Sequence, residues 1–190
     1  MKSCEQTKGL STLEHGLSVK NYLFDLVNHL RNKTALKYEW KLPEWVYENS
    51  NFILSKLPDD KTLSLYTEYH DCGKWASLEI DSEGKRHFPN HAEKSYEIFK
   101  QVFKNETAAN LIRDDMNIHL LKTDGVEKFS ENPLAITLLL TGLAEIHSNS
   151  TIFGGTSSVS YKIKMKSLTQ RGKQILNILN KKWLKVENIL

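Results

Sequence analysis

Apolar positions recur at helical spacing over most of this chain. Ser11-x-x-Glu14 has the form of a capping box and opens a predicted helix, in which Leu13, Leu17, Tyr22, Leu26 and Leu30 follow at roughly helical intervals. Pro43 suits the first turn of a second helix reaching about Lys56. A third is predicted from Asp60 to about His70, and Pro89 opens another through about Phe103. Two shorter helices follow, and then a long one opened by Asn132-Pro133 and reaching about Ser148. Its first part, Leu134 to Ala144, is the longest nearly apolar run at eleven residues. That is too short to cross a bilayer and reads as a buried core helix.

Two stretches break the helical rhythm. Leu78-Glu79-Ile80, the turn-rich Asp81-Ser82-Glu83-Gly84, and Lys85 to Phe88 read as a hairpin. After Phe153-Gly154-Gly155, the residues Val159, Tyr161, Ile163 and Met165 alternate with Ser160, Lys162, Lys164 and Lys166. Period-two alternation predicts a strand, one able to pair with the hairpin. Ser167-x-x-Gln170 then caps a last helix carrying Ile175, Leu176, Ile178, Leu179 and Leu184. The expected fold is mostly α, a helical bundle with a small β-hairpin and strand element. One domain is expected over residues 1–190, with a core at about 11–150 and a basic strand and helix at 151–190.

Composition narrows the classes. Hydrophobic residues make up 39% and charged residues 26% of 190, which argues against wholesale disorder. The formal net charge of +3 does not announce a nucleic-acid binder. Its distribution changes that picture. Residues 151–190 hold eight basic residues and one acid, a charge of +7, which leaves −4 on the first 150. Cys4 and Cys72 offer no disulfide framework, so a reducing cytoplasm is expected. The leader MKSCEQTKGLSTLEHG has no apolar core of a signal peptide, and no membrane partner is expected.

The candidate chemistry lies in the seven histidines, His15, His29, His70, His87, His91, His119 and His147. A lone histidine is ordinarily a satisfied polar residue. Here their order carries the argument: Leu13-Glu-His15-Gly, then His70-Asp-Cys-Gly-Lys74, then His87-Phe-Pro-Asn-His91-Ala-Glu-Lys-Ser95, then Met116-Asn-Ile-His119. His70 and Asp71 fall at a predicted helix end, where adjacent side chains can converge. Gly73 allows a tight exit, and Lys74 puts a cation close by. Four or five convergent His and Asp ligands suit a transition-metal hydrolase site. His29, about four turns beyond His15 on one helix, reads as structural.

This series resembles the HD superfamily of metal-dependent phosphohydrolases over roughly residues 11–150. His15 matches the first family histidine and His70-Asp71 the defining pair. His-Asp-x-Gly-Lys with a downstream His-Ala-x-x-Ser is similar to the HD domains of tRNA nucleotidyltransferases and of CRISPR helicase-nucleases. His91 and His119 resemble the branches that hold a second metal. The family usually closes its set with an Asp on a late helix; the matching segment here carries Glu145, in Leu143-Ala144-Glu145-Ile-His147. Asp114, Asp115 and Asp124 are the alternative acids.

The resemblance implies one or two divalent ions. In a two-ion arrangement, His15, His70, Asp71 and Glu145 hold one and Asp71, His91 and His119 the other. Imidazole-rich ligation favours Mn, Fe, Co, Ni or Zn, with Mg also compatible. Asp71 and Lys74 are the expected catalytic residues, Lys74 meeting a phosphoryl oxygen or the leaving group. With one ion, His91 and His119 become phosphate contacts or proton donors. His87 is either a substrate contact or a plain strand residue. Lys162, Lys164 and Lys166 share one face of the predicted strand, which suits an anionic substrate or, equally, a solvated edge. The expected activity is hydrolysis of phosphate esters of nucleotides or nucleic-acid ends. The alternatives are a single-strand nuclease and a catalytically weak nucleotide sensor, the latter motivated by Glu145. No helicase, kinase or transferase domain is expected within these residues.

Overall fold

The protein was examined as a computed structural model that describes residues 1–7 and 9–187, and side chains to residue 182. It is mostly helical, with two small antiparallel strand pairs among the described residues. The chain divides into two compact units. The first comprises residues 1–23 and 58–116, the second 24–57 and 117–190.

The first unit opens with β1 (Glu5–Thr7) and β2 (Leu10–Ser11), which pair antiparallel. This ribbon has no sequence signal: strands of two or three residues are too short to show a period. α1 (Thr12–Asn32) begins where the capping box predicts. The Ser11 backbone N–H donates to the Glu14 carboxylate at 2.8 Å and the Glu14 N–H donates back to Ser11 Oγ at 3.2 Å. The unit also holds α4 (Asp60–Tyr69), the predicted hairpin as β3 (Glu79–Ile80) and β4 (Arg86–His87), α5 (His91–Val102) and most of α6 (Glu106–His119). β3 and β4 pair antiparallel with Glu79 opposite His87. Val19, Leu23, Leu63, Tyr66, Phe99 and Ile112 are buried at its centre.

The second unit holds the rest of α1 and α6 together with α2 (Glu44–Glu48), α3 (Ser50–Lys56), α7 (Val126–Phe129), α8 (Ala135–Ser148) and α9 (Val159–Glu187). α8 is buried almost all round, as its apolar run requires. The single helix expected from Pro43 to Lys56 is broken at Asn49. There the side-chain amide takes the Trp45 carbonyl at 2.9 Å, and Asn180 donates to Asn49 Oδ1 at 2.8 Å. No helix among the described residues is long and apolar enough to cross a membrane.

The predicted strand at 159–166 is wrong: these residues form the first turns of α9. Tyr161, Met165 and Leu168 are buried, at spacings of four and three, whereas Val159 and Ile163 are 72% and 63% exposed. Half of the apparent alternation is therefore solvated apolar side chain, and the buried half has helical period. Ser158 Oγ accepts the Tyr161 N–H at 3.2 Å near the helix start. Ser167, read as a cap, lies mid-helix. Of the apolar set assigned to the last helix, the Leu184 side chain lies outside the described residues.

His147 on α8 fastens the long segment after α1. Its Nε2 accepts the Lys41 backbone N–H at 3.0 Å, so the proton sits on Nδ1, which donates to the Leu143 carbonyl at 2.8 Å. Burial holds the imidazole pKa below its ordinary value. The unfolded chain therefore takes up this proton at a higher pH than the folded one. Stability should fall as pH drops through the ordinary histidine range near about 6.5, by up to about 1.4 kcal/mol per pH unit, and level off below the folded pKa. Urea midpoints at pH 7.5 and 5.5 test this. His147→Gln should show a smaller pH difference than the wild type; an identical difference would contradict the assignment.

Candidate metal centre

The first unit gathers three of the expected ligands and Lys74 around a fourth, the Asp71 carboxylate. α4 is fixed at its start by Asp59, which accepts the Thr62 N–H at 2.9 Å and the Thr62 hydroxyl at 2.7 Å. These bonds hold the Asp59 carboxyl below its usual range. At the other end, His70 caps α4 just past Tyr69 and Asp71 enters a tight turn. Cys72 N–H donates to the Tyr69 carbonyl at 3.0 Å and Lys74 N–H to the Asp71 carbonyl at 3.1 Å. This turn lets two neighbouring side chains reach one point, which an unbroken helix forbids.

α5 is clamped to the same turn. The Gly73 N–H donates to Ser95 Oγ at 2.8 Å, and the Cys72 thiol to the Ser95 carbonyl at 3.4 Å. A Cβ on Gly73 would collide with the backbone of Lys94 and Ser95. α1 makes a similar approach: a Cβ on Gly16, next to His15, would collide with the Glu68 carbonyl. His15, His70 and Asp71 are buried, and His91 is partly buried at the start of α5.

The Asp71 carboxylate is the common neighbour. Its Oδ2 lies 3.6 Å from His15 Nε2 and 3.4 Å from His70 Nε2, and its Oδ1 lies 3.6 Å from His91 Nε2. These gaps exceed the hydrogen-bond range of about 2.7–3.2 Å. Taken pair by pair, each is close to the separation of about 3.4 Å between two atoms bound tetrahedrally to an ion at about 2.1 Å, with His91 facing one oxygen and His15 and His70 the other. His70 Nδ1 lies 2.8 Å from the Thr67 carbonyl and His91 Nδ1 lies 2.9 Å from the Phe88 carbonyl. Because a carbonyl only accepts, each Nδ1 carries the proton, and each Nε2 presents its lone pair toward Asp71. The His15 and His70 rings meet edge to face at 5.1 Å.

Lys74 Nζ donates to Asp71 Oδ2 and to Gln6 Oε1, both at 2.7 Å, and lies 5.6 Å from the Phe88 ring centre. Gln6, on β1, was invisible to sequence reasoning because the ribbon that delivers it carries no pattern. At Cys72, between Asp71 and Lys74, burial pushes the thiol up to about 11, which disfavours the thiolate.

His119 and Glu145 belong to the second unit and pair with each other at 2.8 Å. His87 pairs with Asp81 at 2.7 Å within the hairpin, which lowers the Asp81 pKa. Among the alternative acids, Asp115 is buried in the first unit and accepts from the Tyr66 hydroxyl at 2.5 Å. Asp114 pairs with Arg113 at 3.1 Å, and Asp124 is exposed in the second unit. Lys162, Lys164 and Lys166 do not share a face, because a helix replaces the strand. His29 meets the Thr34 carbonyl at 2.6 Å, a structural role.

Compared with known proteins, the chain matches no family model, no curated protein and no solved structure.

The turn depends on the missing side chain at Gly73. Gly73→Ala should destabilise the protein by about 1–3 kcal/mol through overpacking against α5. An unchanged denaturant midpoint would show that α5 yields without cost.

Proposed function

We propose that this protein is a metal-dependent phosphohydrolase of the HD type, acting on phosphate esters of nucleotides or nucleic-acid ends. The observation that carries the reading is the set of three imidazole Nε2 atoms spaced 3.4–3.6 Å from the two oxygens of one buried carboxylate. His15, His70, Asp71 and His91 would hold the ion. Three nitrogens and one carboxylate suit Mn, Fe, Co, Ni or Zn better than Mg. When bound, such an ion activates water near neutral pH and neutralises charge on a phosphoryl group.

The remaining residues have separate tasks. The Thr67 and Phe88 carbonyls hold His70 and His91 in the ligating tautomer before any ion arrives. Lys74 is gripped by Asp71 and Gln6 through two of its three N–H donors, and the third remains for a phosphoryl oxygen. Burial of the cluster excludes bulk water and strengthens these interactions. Both cysteines are free and buried, which supports a reducing, cytoplasmic setting.

Metal analysis of the purified protein, paired with hydrolysis of nucleotides and short oligonucleotides, tests the reading. Asp71→Asn should weaken metal binding by more than about 100-fold, beyond the 10–100-fold usual for groups that only orient a ligand. It should also abolish hydrolysis. His91→Ala, at a partly exposed position, should weaken metal binding with the fold retained by circular dichroism. Hydrolysis surviving in folded Asp71→Asn, or wild-type metal affinity in both variants, would overturn the proposal.

A further inference from the structure

The helix that replaces the predicted strand regroups the basic residues of the C-terminal segment. At about 100° per residue, Lys164, Ser167, Leu168 and Arg171 fall within about 100° of one another on α9. Lys162 and Lys166 each lie about 160° from Lys164 on the same basis. The face bearing Lys164 and Arg171 lines a cavity of about 220 Å³ within the second unit. Its apolar wall is Ile118, Ile146 and Leu168, all buried, together with the exposed Ile163. No carboxylate lines it among the described residues.

Both cations are held at the rim. Arg171 Nε donates to the Leu121 carbonyl at 3.2 Å and Nη1 to Gln174 Oε1 at 3.5 Å. A guanidinium has five N–H donors, so three remain for an anion. Lys164 Nζ lies 5.2 Å from the Phe153 ring centre, a cation–π contact that restrains it. Ser167 adds a hydroxyl between them along the helix. His119 also lines the cavity, its imidazole tied to Glu145 at 2.8 Å.

A wall that is cationic on one side and apolar on the other selects an amphiphilic anion. The volume is below the 300–1,000 Å³ usual for drug-sized ligands, so that anion is small. We infer that this cavity binds a small organic phosphomonoester: Lys164, Ser167 and Arg171 receive the phosphate, and Ile118, Ile146 and Leu168 receive its apolar group. The site lies wholly in the second unit and does not depend on metal held by Asp71.

Calorimetric titration of the full chain in excess EDTA tests it, with phenyl phosphate, inorganic phosphate and phenol as probes. Phenyl phosphate should bind saturably and about tenfold more tightly than inorganic phosphate, and phenol should not saturate. Lys164→Glu, at an exposed position, should weaken phenyl phosphate about tenfold or more, as should Arg171→Gln. Lys162→Glu should change the affinity less than about twofold, because only diffuse charge is altered. Asp71→Asn should leave it unchanged. The inference is overturned if the wild type shows no saturable binding, if Lys164→Glu binds normally, or if Lys162→Glu loses as much as Lys164→Glu. Loss of binding in Asp71→Asn would also overturn it, by assigning the phosphate to the first unit. A metal-free but phosphate-binding protein would instead defeat the hydrolase reading alone.

Discussion

Burying the Asp71 carboxylate is the constraint around which the first unit is arranged. Its side chain is 3% exposed, and an ionised carboxylate so placed costs several kcal/mol unless charge and hydrogen bonds compensate it. Lys74 supplies the charge at 2.7 Å and is itself held by Gln6. Both groups must emerge from one turn, which needs Gly73 and its clamp to Ser95. The approach of α1 that brings His15 to the carboxylate needs Gly16 for the same steric reason. Two glycines and one serine, none with chemistry of its own, thus help to determine where five ionisable side chains meet.

Histidines in this protein divide by how their second nitrogen is used. In His147 both ring nitrogens meet backbone groups, Lys41 N–H on one side and the Leu143 carbonyl on the other, and the ring works as a rivet. In His70 and His91 only Nδ1 meets a backbone carbonyl, while Nε2 faces a carboxylate at a distance too long for a hydrogen bond. The first arrangement is complete as it stands. The second has the geometry that the proposed metal site requires, with nitrogen and carboxylate oxygen facing one another. This contrast separates a packed histidine from one able to ligate, which burial alone does not.

Much of the helical frame was legible in the sequence, for reasons that can be named. Ser11 and Glu14 form a reciprocal cap that local residues complete by themselves. The nearly apolar run of eleven residues from Leu134 demands burial whatever surrounds it. His70-Asp-Cys-Gly-Lys74 was legible as a turn because its chemistry and its punctuation are adjacent. Gln6 was not, since its importance comes from a ribbon of two residue pairs, with a register shift at Gln6 and no periodicity. At the break the Asn49 side chain also meets Asn180, 131 positions away, a contact that local sequence does not show. For His119 and Glu145, residue type was readable, but their mutual pairing is a property of the folded second unit.

The misread strand at 159–166 shows what a period assignment carries with it. Alternation put Lys162, Lys164 and Lys166 on one face and made them a single basic stripe. The helix makes the relevant spacing three, four and seven, so Lys164 joins Ser167 and Arg171 while its two lysine neighbours turn away. The total charge of the segment is the same under both readings, but the field at any one surface is not. A binding argument drawn from net charge is therefore only as good as the backbone geometry assumed with it. Here the buried spacing of Tyr161, Met165 and Leu168 settles that geometry, because a strand would have had to bury Ile163 beside them.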